Sequence, residues 1–232
     1  IVFITGNVDS RILGLYLAKQ GQIELKKSEF IKARALFEEA LNMDNELAIC
    51  YKFIGDTYSS ESEVEHKKSE ENQSSENLEK AKDLLSNALS MWIKYAQHKP
   101  TYSRSVLNLI KDSLFALERY SELEHILKDL IDREPNNINV LINLADYYSN
   151  QGESEKSVHL LDNLKEEDKQ SPLAKMLRLK LKINLTDNAS TELKDEFDEL
   201  TKEMINVIGD HSLSESGDQD LVWLNENESS SN

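Results

Sequence analysis

Apolar residues recur along this chain every three or four positions, with charged residues between them. That pattern predicts amphipathic helices joined by short polar turns. Small residues add a second pattern. In KARALFEEAL, Ala33, Phe37 and Ala40 stand at offsets 0, +4 and +7, and in EKAKDLLSNAL, Ala81, Leu85 and Ala88 repeat that spacing. Each triplet lies along one helix face, where small side chains let a neighbouring helix approach and the larger one fills the groove between them. Other helices carry the complementary set. Tyr51, Ile54, Gly55 and Tyr58 in CYKFIGDTY stand at offsets 0, +3, +4 and +7, as do Leu141, Leu144, Ala145 and Tyr148 in NVLINLADYY.

The two patterns share a period. Repeats in register start at Gly14 and Ala48, which are 34 residues apart, and at Arg104 and Ile138, again 34 apart. The third repeat ends in REPNN with Pro135, and departs from the pattern by placing Lys111 and Leu123 where small residues belong. A fifth helix pair follows Pro172. Between repeats two and three the period fails, because a Ser/Glu-rich stretch, Ser59 to Asn77, lengthens the link within repeat two. It has almost no large apolar residue, which predicts a mobile loop.

These residues resemble the tetratricopeptide repeat (TPR) family, in which a large-Leu-small-Tyr helix A precedes a small-large-small helix B, often with Pro near the end. The resemblance implies an all-α fold, a right-handed superhelix of antiparallel helix pairs. The expected organisation is a lead-in over 1–13, a solenoid of about five pairs over 14–208 with an insertion at 59–77, and an acidic, Ser-rich, disordered tail over 209–232. An apolar island, Leu221 to Leu224, interrupts that tail; it reads as a fold-back segment slightly better than as a docking motif.

Composition narrows the function. Only 7 Gly and 3 Pro among 232 residues leave too few chain reversals for a strand-and-turn protein. Asp and Glu outnumber Lys and Arg 43 to 27, a net charge of −16, which disfavours nucleic acid and anionic lipid as partners. The single cysteine, Cys50, rules out a disulfide framework and reads as a buried structural thiol. No apolar run reaches the roughly 20 residues that cross a bilayer, and IVFI at the start lacks the basic flank of a signal peptide. A cytoplasmic setting is expected, or the cytoplasmic face of a membrane where an anchor lies upstream. The four N-x-S/T triplets carry no weight in such a setting.

No enzyme signature is present. The histidines (His66, His98, His125, His159 and His211) have no metal-binding spacing, and GxGxxG, P-loop and GxSxG motifs are absent. Carboxylate pairs such as Glu38 and Glu39 read as solvated helix faces. A non-catalytic protein with no cofactor or metal is therefore expected.

By resemblance to the repeat family, positions 2, 5, 9 and 12 of each helix A face a concave groove. They are Ile49, Lys52, Asp56 and Ser59 in repeat two, Ser105, Asn108, Asp112 and Phe115 in repeat three, and Asn139, Ile142, Asp146 and Ser149 in repeat four. Position 9 is aspartate in all three, an acidic ladder that would suit a basic peptide. Repeat one offers Ala18 and Gln22 where a carboxylate-binding clamp needs Lys and Asn, so an acidic chaperone tail is disfavoured.

The order of features from Leu13 to Leu200 also resembles the lipopolysaccharide assembly protein B (LapB) family. The segments are GQIELKKSEFIKARALFEEALNMDNELAICYKFIGDTY, then LSMWIKYAQHKPTY with Trp92, Tyr95, Pro100 and Tyr102, then SLFALERYSELEHILKDLIDREPNN. This implies a membrane-anchored adaptor that couples the FtsH protease to a lipid A biosynthetic enzyme. The transmembrane helix and paired CxxC motifs of that family have no counterpart in this sequence. A general TPR assembly or secretion protein, and the regulatory domain of an enzyme, stay open as alternatives.

Overall fold

The computed structural model describes residues 10–99, 101, 104–185 and 191–210. The described residues are helices and turns: α1 (Ser10–Lys26), α2 (Phe30–Met43), α3 (Ile49–Asn72), α4 (Ser75–His98), α5 (Arg104–Ala116), α6 (Leu123–Arg133), α7 (Ile138–Asn150), α8 (Ser154–Asp162), the short α9 (Glu166–Lys169), α10 (Pro172–Leu185) and α11 (Thr191–Asp210). The fold class is all-α. Two compact bodies divide between Tyr120 and Ser121, one holding α1–α5 and the other α6–α11. Within each, helices consecutive in sequence pack on one another, as in an α-solenoid. The expected tail beyond Asp210, the Leu221–Leu224 island, Pro100, Tyr102 and residues 1–9 of the lead-in lie outside the described residues.

In the first body the pairs α1–α2 and α3–α4 close on glycine. A Cβ added to Gly21 would lie 2.6 Å from the Phe37 ring, and one added to Gly55 would lie 2.6 Å from Nε1 of Trp92 and 3.1 Å from the Ala88 carbonyl oxygen. The helices are close enough that only hydrogen fits. Ala33, Phe37, Ala40, Ala81 and Ala88 are all buried in these seams. The large residue against Gly55 is Trp92 rather than Leu85, so the helix-B partner lies one heptad beyond the register that Leu85 implied. In the second body Ala145 takes the glycine's position. The Ser157 hydroxyl donates to its carbonyl oxygen at 2.7 Å, and Ile142, Ala145, Leu161, Leu164, Ala174, Leu177 and Leu181 form the core.

Helix A ends in the same way in three repeats. Ser28 (φ 60°), Glu118 (φ 58°) and Gly152 (φ 78°) each occupy position 15 in the left-handed conformation. The next residue's N–H returns to the carbonyl of position 11: Glu29 to Glu24 at 3.0 Å, Arg119 to Leu114 at 2.7 Å, Glu153 to Tyr148 at 2.9 Å. This is the six-to-one bond of a Schellman turn, which satisfies carbonyls that the helix end leaves open. Exposed Pro135 follows α6, where it cannot continue the helix, and Asn137 caps α7 by accepting from the N–H groups of Asn139 and Val140 at 3.1 and 3.4 Å.

The Ser/Glu-rich stretch corrects the expectation of a mobile loop. Residues 59–72 continue α3, the turn is Gln73–Ser74, and α4 begins at Ser75. Gln73 (φ 51°) takes the left-handed role, and Ser74 N–H bonds Ser69 O at 3.1 Å. The same turn has thus moved eleven residues along, about three helical turns per arm. Apolar burial is replaced there by polar contacts between the arms. The Ser62 hydroxyl donates to Ala81 O at 2.6 Å, and the buried Glu65 carboxylate takes Lys68 at 2.9 Å and Lys80 at 3.1 Å. Reading that stretch for core-forming residues missed a hairpin held by bonds across the seam.

Tyrosines at position 11 join one helix pair to the next. Arg34 of α2 stacks its guanidinium 4.3 Å from the Tyr58 ring centre and bonds Glu61 at 2.6 Å. In the second body, Tyr148 donates its hydroxyl to Glu124 of α6 at 2.8 Å, and Lys156 lies 5.0 Å from the ring centre.

Two outcomes follow. Gly55→Ala should cost about 1–3 kcal/mol by overpacking against Trp92, read as a lowered urea midpoint. Gly152→Ala, with open space around it, should cost only about 1 kcal/mol of backbone strain. Acid should also act through two buried or half-buried carboxyls. Lys68 and then Lys80 hold Glu65, and Lys128 and then Tyr148 hold Glu124, below the ordinary glutamate value of 4.5. Each carboxylate's contribution is complete above that value and lost as pH falls through the depressed one. Replacing both by Gln should flatten the fall in urea midpoint between about pH 5 and about pH 2.

Candidate functional site

The inner positions of the A helices do not form one uniform acidic stripe. In α3, Ile49 is fully buried, while Lys52 and Asp56 pair with each other at 2.7 Å. The other Asp56 oxygen accepts from Nε1 of Trp92 at 2.9 Å. Both carboxylate oxygens are thus engaged, and Asp56 acts as a tie between α3 and α4, next to the tight contact at Gly55.

Asp146 of α7 is engaged as well. Lys180 of α10 bonds one carboxylate oxygen at 2.8 Å and the Asn150 side-chain oxygen at 2.8 Å, and Asn150 donates to the other Asp146 oxygen at 3.3 Å. Lys180 follows Asp146 by 34 residues, so the same position of consecutive A helices meets across the pair with opposite charge. Asn139 is half-buried in the first turn of α7, Ile142 belongs to the core, and Ser149 is buried.

Helix α5 is different. Asn108, Asp112 and Phe115 are all exposed on one face, and Phe115 is 76% exposed. Its ring meets Tyr120 edge-on at 6.5 Å. Of the three aspartates, only Asp112 stands on an exposed face.

A recess of about 330 Å³ opens in the same body between α1, α2 and α3. Position 9 of repeats one and two, Gln22 and Asp56, lines it together with Leu25, Phe30, Phe53 and Val64. Gln22 Oε1 is buried and has no hydrogen-bond partner among the described residues. Apolar side chains and the polar Gln22, Asp56 and Ser60 line it together, the composition of a recess that can take a side chain. Among the described residues no group of His, Cys, Asp or Glu is arranged to hold a metal ion, and no helix is long and apolar enough to cross a membrane. Cys50 is buried.

Sequence reasoning missed Trp92, Lys180 and Phe53 as site neighbours, and placed Gln22 at an inward position without the recess beside it. Lys180 was legible through its 34-residue spacing from Asp146. Trp92 was legible through its place four residues after Ala88. Phe53 and the recess it shares with Gln22 needed the packing of α1 against α3.

The matching part of the chain is defined. Residues 114–181 match the family described as Tetratricopeptide repeat. That TPR stretch runs from the end of α5 through α10. No curated protein matches the chain. A solved structure of Pseudomonas aeruginosa PilF is similar at 12% identity over 85% of this chain and 93% of that one, with a TM-score of 0.36. At that score the likeness decides nothing about this protein.

The Asp146–Lys180 pair is partly exposed, at 27% and 35%. A double-mutant cycle with Asp146→Ala and Lys180→Ala should therefore give a coupling of about 0.5–1 kcal/mol, reduced by salt.

Proposed function

We propose that this protein is a non-catalytic TPR scaffold that binds a protein segment along the inner face of α1, α3 and α5. The observation that carries the reading is the α5 stripe. A large aromatic side chain at an inner TPR position, exposed beside Asn108 and Asp112, has the composition of an interaction anchor rather than of a solvated helix face. The recess beside Gln22 and Phe53 supplies a second contact in the same body. An apolar residue of the bound segment fills it, while Asp112 favours a basic or amide-bearing neighbour. Because Asp56 and Asp146 are both tied to lysines, shape and one aromatic anchor carry the recognition more than an acidic ladder does.

The mechanism is positional. A scaffold that holds two proteins raises their effective concentration without chemistry of its own. The resemblance of Leu13–Leu200 to the LapB family supports a finer form, in which the bound proteins are a membrane protease and a lipid A biosynthetic enzyme and the setting is the cytoplasmic face of a membrane.

The test uses the full chain with a photo-crosslinking residue at position 108. A partner captured there should be lost about tenfold with Phe115→Ser or Val64→Asp at unchanged helicity, and competed by a peptide taken from its crosslinked segment. Capture that survives both substitutions unchanged sinks the groove. Purified membrane protease and lipid A biosynthetic enzyme, offered separately and together, test the LapB form; absence of a ternary complex removes it without touching the scaffold reading.

A further inference from the structure

The recess beside Gln22 and Phe53 is a product of the lengthened hairpin. In repeats one, three and four a left-handed residue at position 15 follows the end of helix A, so position 17 lies beyond that helix; in repeat one it is Phe30, the first residue of α2. In repeat two α3 runs on to Asn72, and position 17, Val64, is still on helix A. Val64 and Ser60 therefore line the recess from one side, while Ser28 and Phe30 line it from the turn between α1 and α2. A helix A of ordinary length would end before it supplied that wall.

The lining selects a kind of side chain. Leu25, Phe30, Phe53 and Val64 give the recess its apolar surface, and Phe53 is held in place by stacking on Phe37 at 5.3 Å. Two position-9 side chains bring acceptors to it. Asp56 is already committed, since Lys52 donates to one of its oxygens at 2.7 Å and the Trp92 indole to the other at 2.9 Å. Gln22 is not: its buried Oε1 takes no donor among the described residues, and a buried acceptor gains when one arrives. The terminal torsion of glutamine is broad, so this oxygen can turn to a donor delivered through the recess. An aromatic body with an N–H at its edge meets both demands. A tyrosine hydroxyl would also bring lone pairs beside the Asp56 carboxylate, whereas an indole nitrogen only donates. The same body already sets one indole N–H on a position-9 side chain, Trp92 on Asp56.

We propose that the recess is a tryptophan site: the protein segment held along the inner face inserts an indole there, with its ring against Phe30 and Phe53 and its N–H on Gln22 Oε1. This rests on the scaffold reading above and names both the side chain that enters the recess and the residue that selects it.

The probes are N-acetyltryptophanamide, its indole N-methyl form, which keeps the ring and loses the donor, and N-acetylleucinamide. Each is titrated into the isotope-labelled full chain and followed by NMR. The tryptophan probe should bind at least about threefold more tightly than either control, the worth of one hydrogen bond, and should shift the Gln22 side-chain amide together with the backbone amides of Phe53 and Val64. Gln22→Met should bring the two indole probes to equal affinity at an unchanged melting temperature, while Gln22→Glu, which keeps an acceptor, should preserve the preference. Equal affinity of the two indole probes for the wild type, as a water already bonded to Gln22 would give, overturns the proposal. So do shifts absent from the recess, or a preference that persists in Gln22→Met. A Gln22 amide signal of the free chain that moves on Trp223→Phe also overturns it, in favour of the chain's own Trp223 as the occupant. If Gln22→Met lowers the melting temperature, the wild-type preference and the shift map decide alone. Crosslinked capture through position 108 reports on the groove separately: retained capture with equal indole affinities removes the tryptophan site and leaves the scaffold.

Discussion

The approach of helix A to helix B at position 8 is the constraint on which the rest of the described structure depends. Gly21 and Gly55 leave no room for a methyl group against Phe37 and Trp92, and at Ala145 the Ser157 hydroxyl donates to the backbone carbonyl. A small residue on one helix and a filler on the other bring the two axes together, so dispersion contacts are gained along the whole pair. Once that seam is set, the neighbouring positions have fixed duties. In α3 and α7, positions 3, 7 and 10 are buried and position 11 reaches back with a tyrosine, and in α7 position 9 meets the following helix A.

That geometry explains why identical residues at identical positions do different work. Asp56 stands beside the glycine seam, so its carboxylate is in reach of the indole that fills the seam, and it becomes a bridge within one hairpin. Asp146 stands beside an alanine seam whose filler has no donor to offer. Its carboxylate turns instead to Lys180, on the next helix A. Tyr58 and Tyr148 show the same dependence on the neighbour: one meets a guanidinium through its ring, the other a carboxylate through its hydroxyl.

Helix periodicity, the 34-residue spacing and the seam positions were legible in the chain because each rests on local side-chain size: Ala33, Phe37, Ala40, Gly55, Ala88 and Ala145 are where a two-helix seam needs them. The groove was legible only as a set of positions. Whether Asp56 is available to a ligand depends on Trp92 and Lys52, whose placement requires the tertiary fold. The Ser/Glu-rich stretch was misread for a related reason. Hydropathy counts what can be buried, whereas that hairpin is held by Ser62, Glu65 and Lys80, whose bonds reach across between arms and leave no mark in a one-dimensional profile.

The lengthened α3–α4 hairpin limits what lengths this repeat can tolerate. Eleven residues per arm return a helix to almost the angle from which it started, about 20° past three full turns, so the turn at Gln73 can reproduce the one at Ser28 while the glycine seam below is unmoved. One residue more in a single arm would swing everything above it by about 100° and turn the Ser62 and Glu65 contacts outward. The arm behaves like a telescope with fixed stops, each set by a whole number of turns.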